Sequence, residues 1–211
     1  MKKLNMRNND TPGFLISFCG LDGCGKTTMI NKLILDLENE YKVFLTKQPT
    51  NAVRNSEIFR TYMDSPNHDA FDYRSLSLLA ASDRLQHVNK VIEPKMKLGK
   101  IVVSDRYFYS CLANLRARGF YKDKWIYEIV ESVIKPDIAF FLDVPVDEAI
   151  RRVRKRPEEK SRYIDTALQH KLRKEYIKIC SANNGIMIDT TKPENDCYSK
   201  IKNAVKEMLQ N

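Results

Sequence analysis

Residues 20–27 read Gly20-Leu-Asp-Gly-Cys-Gly-Lys-Thr27, after an apolar run (Phe14-Leu-Ile-Ser-Phe18) and before a helix-like stretch (Met29-Ile-Asn-Lys-Leu-Ile-Leu35). This is the spacing G-x-x-x-x-G-K-[ST] in a strand–loop–helix setting, the sequence form of a phosphate-binding loop. It limits the chain more than any other feature, because such a loop needs a strand behind it and a helix N-terminus pointing at the anion beyond it. Its glycines let backbone N–H groups turn inward around triphosphate oxygens. Lys26 can reach the β- and γ-phosphates, and Thr27 can offer its hydroxyl to Mg²⁺. Gly20, Asp22, Gly23, Cys24, Gly25, Lys26, Thr27 and Thr28 are therefore the expected triphosphate-binding residues. A thiol at a helix N-terminus can be acidified, but no histidine or second cysteine pairs with Cys24 in sequence, and it reads as a small filler.

The rest of the chain alternates short apolar strands with helices. Strands are expected at 14–18, 43–47, 101–104, 138–142 and 185–189. Helices are expected at 26–40, 73–97, 146–156, 165–181 and 194–209, with two more between Phe108 and Ile134 and a break or kink at Pro94. The pattern predicts an α/β fold with a five-stranded parallel sheet flanked by helices and ligands gathered at the carboxyl ends of the strands. Lys47-Gln-Pro49, Asp105-Arg-Tyr107 and Asp143-Val-Pro145 all fall at such ends. With no repeat, low-complexity tract or Pro/Gly/Ser linker, residues 1–211 read as one domain.

Composition narrows the partners. No apolar run approaches the ~18 residues needed to span a bilayer, and the polar start Met1-Lys-Lys-Leu-Asn5 lacks a signal-peptide core, so a cytoplasmic location without a membrane partner is expected. The five cysteines contain no CxxC pair and suit reduced thiols better than disulfides or zinc. His68, His87 and His170 show no ligand spacing. A net charge of +9 would suit nucleic acid, but no binding motif accompanies it, and an enzyme that handles phosphates has its own use for cations.

Four groups of residues carry chemistry. Asp105 directly follows a strand, where a P-loop protein places a second Mg²⁺ anchor, and Arg106 beside it can clamp another phosphate bidentately. Asp22 lies inside the anion loop, where a carboxylate is repulsive unless it orders a magnesium-bound water or a sugar hydroxyl, or bonds its own turn. Lys26 is the loop's single basic residue, so further positive charge for the transferred group must come from elsewhere. Arg151, Arg152, Arg154, Lys155, Arg156 and Arg162 flank the turn-like Pro157-Glu-Glu-Lys-Ser161 and suit a mobile arginine-rich flap at about 151–163. On a continuous helix, 152 and 156 would share a face. Arg84, in mid-helix beside an apolar stripe, reads from pattern alone as an arginine that snorkels to water. A GTPase-like switch fits poorly, because Asp143-Val-Pro-Val146 and Thr191-Lys-Pro-Glu194 do not make its guanine and switch motifs.

Together, Gly20–Thr28, Leu78-Leu-Ala-Ala-Ser-Asp-Arg-Leu-Gln-His-Val88, Ile92-Glu-Pro94, Gly99-Lys-Ile-Val-Val-Ser-Asp-Arg-Tyr107 with Ser110, Pro136-Asp-Ile-Ala-Phe-Phe-Leu-Asp-Val-Pro145, Arg173–Tyr176 and Asp189–Pro193 resemble the thymidylate kinase family over residues 13–208. The resemblance implies a P-loop nucleoside monophosphate kinase fold with a helical arginine-rich lid, ATP and Mg²⁺, a nucleoside monophosphate acceptor with dTMP the default, and commonly a homodimer. It implies that Arg106 holds the acceptor phosphate, that Asp22 lies near the acceptor sugar and that Arg84 faces its base. Lys26, Arg106 and the lid arginines, Arg152 and Arg156 foremost, would then be catalytic, Thr27 and Asp105 would hold the metal, and Thr191–Pro193 would border adenine. Three positions depart from the family pattern. Gln48 stands in a Thr-Arg-Glu-Pro segment, Ala80 stands where an aromatic stacks on thymine, and Asn114 stands where Tyr or Phe blocks the ribose 2′ position. Losing an aromatic stack forfeits on the order of 1–3 kcal/mol per base, so a relative with a changed acceptor is the alternative reading. A phosphate contact by Arg54 or Arg60 is left open between the two.

Overall fold

A computed structural model describes residues 2–64 and 71–210, and the expectation for His68 lies outside them. The sheet is built on β1 (Phe14–Gly20), whose Leu15, Ile16 and Phe18 are wholly buried because helices cover both faces. Strands β3 (Ile101–Asp105) and β4 (Ile138–Asp143) pair with it on either side, and β2 (Val43–Lys47) and β5 (Ile186–Asp189) lie outside them. All pairings are parallel, in the order β2-β3-β1-β4-β5. The order reverses at β1, where a crevice for ligands opens beyond the strand ends.

The helices are α1 (Lys26–Leu37), α2 (Asn51–Arg54), α3 (Glu57–Asp64), α4 (Tyr73–His87), α5 (Glu93–Lys97), α6 (Phe108–Ala117), α7 (Trp125–Ile129), α8 (Val146–Arg154), α9 (Thr166–Ala182) and α10 (Glu194–Gln210). Helix α1 stops at Leu37, short of the expected 40, because the Asn39 amide donates to the carbonyls of Leu35 and Asp36 and closes the helix end. The long stretch 73–97 is not one regular helix. It passes through a π turn over Val88–Ile92, where the Glu93 N–H donates to Val88 O, and resumes as α5. Pro94 is the cause: lacking an N–H, it cannot bond the carbonyl four residues back, and the wider turn accommodates it.

Two further differences matter for the site. Helices α2 and α3 are not among the expected helices, because at four and eight residues they are shorter than the window over which a helical period shows, and α2 is started by the Thr50 hydroxyl accepting from Ala52 N. Helix α8 ends at Arg154, not 156, because Pro157 forces Arg156 into the extended region (φ −84°, ψ 124°). Arg152 and Arg156 therefore do not share a helix face. The polar N-terminal arm also has structure: Leu4 and Met6 are buried, and Arg7 bonds the backbone of Val133 and Lys135 and pairs with Glu93. All five cysteines are buried and unbonded to one another. Among the described residues, no helix is long and apolar enough to cross a membrane.

Candidate active site

One cleft of about 620 Å³ opens where the carboxyl ends of β1 and β3 meet α3, α4, α6 and the 155–165 segment. Its floor is the loop between β1 and α1. Gly25 caps α1 with φ 93°, a left-handed conformation that disfavours any residue with a Cβ. Gly23 is required for a second reason, since a Cβ there would lie 2.2 Å from Ala149 O. The root of α8 thus packs directly on the anion loop, so the lid and the loop share a foundation. Lys26 is buried and folds over the loop, donating to Leu21 O (2.7 Å) and Gly20 O (3.1 Å). Thr27 and Thr28 are exposed at the start of α1.

Arg106 is the centre of the site. Its backbone takes φ 73°, an uncommon conformation for a residue with a side chain, and is fixed there by its N–H on Phe18 O (2.8 Å) and by the Ser104 hydroxyl on its carbonyl (2.7 Å). The guanidinium pairs with Asp22 and donates to Gly20 O and to Tyr176 Oη, each at 3.1 Å. Tyr176 in turn donates to Ser110 Oγ at 3.1 Å, and burial pushes its phenol up to about 12, so it remains a donor. Burial disfavours charge on Arg106, but Asp22, Tyr176 and Asp105 outweigh it and hold the guanidinium charged.

The second oxygen of Asp22 accepts from Arg162 of the lid at 3.2 Å. Burial alone would raise the Asp22 carboxyl. Arg106, then Lys26 and Arg162, hold it instead well below the usual carboxylate range. Arg54 lines the same cleft, and burial and the repulsion of Arg106 both lower its pKa. Lys47 pairs with Asp105 at 3.1 Å, and Glu159 pairs with Arg162 at 3.0 Å. Among the described residues that line the cleft, nine lysines and arginines, Lys26, Lys47, Arg54, Arg106 and Arg162 among them, thus meet five carboxylates, an arrangement that needs further anions to complete it.

A magnesium ion fits the residues present. Asp105 Oδ1 is buried with no hydrogen-bond partner among the described residues, an acceptor that a cation or its water would satisfy. Mg²⁺ bound with a nucleotide takes one or two protein oxygens and completes its shell with phosphates and water. Asp105 and the Thr27 hydroxyl both line the cleft and match that need.

The lid arginines divide. Arg151 and Arg152 both pair with Glu148, and Arg152 also donates to Thr190 O at 2.9 Å, beside the Thr191–Pro193 segment. Arg154 braces the turn through the carbonyls of Glu159 and Lys160. Arg156 lines the cleft, and Arg162 reaches the anion loop. Sequence pattern could not separate them, because Pro157 changes the direction of the chain between the two groups. Asp143 is likewise engaged, bidentately with Arg173 at 2.7 Å on each oxygen.

The wall opposite the anion loop comes from α3, α4 and α6. Arg84 does not snorkel: it is only 4% exposed, with one nitrogen on Ala80 O at 2.9 Å and its Nε unpartnered among the described residues. Asn114 does not hang free. Its amide donates to Ser110 O (2.9 Å) and its carbonyl oxygen accepts from Arg118 (2.8 Å). Arg118 lies 3.9 Å above the Tyr73 ring and donates to Tyr62 Oη at 2.7 Å. Tyr62, Tyr73 and Arg118 were not singled out from sequence. They line the same cleft as Ala80 and bring aromatic surface to it from elements far apart in the chain.

A family model described as thymidylate kinase matches residues 18–201. A probable thymidylate kinase of Thermococcus kodakarensis is 39% identical over 166 residues, covering 76% of this chain and 80% of the relative. The thymidylate kinase of onion yellows phytoplasma is 33% identical over 204 residues (92% and 98%), and that of Geobacillus sp. is 32% identical over 210 residues (94% and 98%).

Proposed function

Because the chain belongs to the thymidylate kinase family, we propose that its cleft transfers the γ-phosphoryl group of ATP to thymidine monophosphate, giving ADP and the nucleoside diphosphate. The observation that carries this reading is the convergence of Arg106 and the lid's Arg162 on one carboxylate at the mouth of the anion loop. Two phosphate groups meeting there would each find an arginine, with Lys26 behind the donor.

An acceptor phosphate oxygen attacks the γ-phosphorus in line. The new P–O bond forms as the bond to the β–γ bridging oxygen breaks, and ADP leaves. Lys26 and Arg162 offset the charge on the transferring group, and Arg106 and Arg54 hold the acceptor phosphate. Arg156, at the rim, and Arg152, beside Thr190, close the lid side. Asp22 and Asn114 border the acceptor sugar, and Arg84 presents its unpartnered N–H to the base. Mg²⁺, held by Asp105 and Thr27 with the triphosphate, would neutralise phosphate charge. Family membership also supports a cytosolic homodimer, which light scattering would check.

An acceptor panel in a coupled ADP-release assay tests the reading. Thymidine monophosphate should give the highest kcat/KM. ADP release that no nucleoside monophosphate accelerates would sink it.

A further inference from the structure

Helix α4 grips the loop between β2 and α2 at two points one turn apart. Asp83 accepts from the Thr50 backbone N–H at 2.7 Å and from the Thr50 hydroxyl. His87 Nε2 lies 2.9 Å from Thr46 Oγ1, and its Nδ1 lies 3.2 Å from Gln48 Nε2. An amide NH₂ can only donate, so Nδ1 accepts, and the imidazole is neutral with its proton on Nε2 facing Thr46. Gln48 is wholly buried, and its other amide atom, Oε1, has no partner among the described residues.

The gripped loop serves the cleft. Gln48 N–H donates to the Asp105 carbonyl at 3.0 Å, Pro49 lines the cleft, and Thr50 starts α2, which carries Arg54 into the cleft. Lys47 is held separately, by its ladder register opposite Asp105. Between the two gripping residues, Arg84 faces the cleft from the same helix. Asp83 and His87 therefore set the distance between Arg84 on α4 and Arg54 on α2.

We propose that His87 is a positioning residue for the acceptor, and that its clamp on Gln48 opens when the imidazole takes a proton; this rests on the kinase reading of the cleft. The chemistry is specific to an amide at position 48. Protonation makes Nδ1 a donor, and two donors then face each other. The amide must rotate, which brings the idle Oε1 to the imidazolium and disturbs the loop leading to α2. Burial lowers the His87 pKa below its ordinary value, opposed only in part by Asp83, the one charged group acting on it among the described residues. Thr46 and Gln48, the groups facing it from the loop, are uncharged. The clamp is thus closed at neutral pH and opens as the pH falls below the ordinary histidine range of about 6.5.

The test is the pH dependence of acceptor use in wild type, Gln48→Glu and His87→Gln, with imidazole NMR titration as the structural readout. In wild type, acceptor KM should rise at acidic pH by about 5-fold or more while ATP KM stays constant. Gln48→Glu places a carboxylate acceptor against the imidazole, so the His87 titration should move up by about one pH unit or more, and because the imidazolium and the carboxylate then pair, the acidic rise in acceptor KM should be lost. His87→Gln, which cannot titrate, should abolish the limb; if that variant fails to fold, the Gln48→Glu shift decides. A limb unchanged by Gln48→Glu, or one that moves acceptor and ATP KM together, overturns the inference. Absence of transfer to every acceptor at every pH instead overturns the kinase reading on which it rests.

Discussion

The two ends of the cleft are built in different ways. The end proposed to take the donor is one contiguous segment, 20–28, built from a glycine-rich backbone and a single lysine. The end proposed to take the acceptor draws Arg54 from α2, Tyr62 from α3, Tyr73 and Arg84 from α4, Asn114 from α6 and Arg118 from just beyond it. Backbone donors tolerate many sequences as long as the glycines remain, whereas a wall of side chains changes with each substitution. The donor end is therefore legible as a spacing, and the acceptor end exists only once the chain has folded. Arg106 joins the two, touching Gly20 on one side and Tyr176 on the other.

Variants can break or sharpen this contrast. The largest effect is expected at the donor end. Lys26→Ala should lower kcat by roughly 10³-fold or more with unchanged circular dichroism, and near-normal turnover would refute the assignment of the loop. Arg106→Ala should come next, lowering acceptor kcat/KM by about 10²–10³-fold. Steady-state kinetics in both substrates would check it, and an equal rise in ATP KM would shift Arg106 to the donor side. Within the lid, Arg162→Ala should reduce kcat by about 10²-fold, while Arg152→Ala should act mainly on ATP KM through Thr190. The reverse ranking would place the catalytic role on Arg152, which with Arg156 is the sequence expectation. The smallest effect belongs to the far wall. Arg118→Ala, which removes the cation over Tyr73 and frees Asn114, should raise acceptor KM by about tenfold with little change in kcat, and an unchanged acceptor KM would separate this cluster from substrate.

Legibility followed the range of the interactions. The strand–helix alternation predicts the parallel sheet because buried strands are apolar throughout and amphipathic helices repeat at 3.6 residues. The errors arose where a local pattern was overridden. Pro157 ends α8 early and separates Arg156 from Arg152, and Pro94 turns the end of the long helix into a π turn. Helices α2 and α3 are too short for a period to mark them in sequence. Arg84 was misread from pattern alone because a helix period says which face a residue lies on, not what packs against that face. The three departures follow the same rule. Asn114 is occupied by Ser110 and Arg118, Ala80 shares its cleft with Tyr73 and Tyr62, and Gln48 has found His87.

By itself, the sequence determined the anion loop, the sheet that must stand behind it and the family to which the chain is similar, because each is written in residues close together along the chain. Tertiary structure alone decided which lid arginine reaches Asp22, what surrounds Ala80 and Asn114, and that His87 and Asp83 hold the loop that carries Arg54 to the cleft. The Asp83–Thr50 and Asp22–Arg162 contacts join residues 33 and 140 positions apart, and only packing on a common sheet brings such residues within hydrogen-bonding distance.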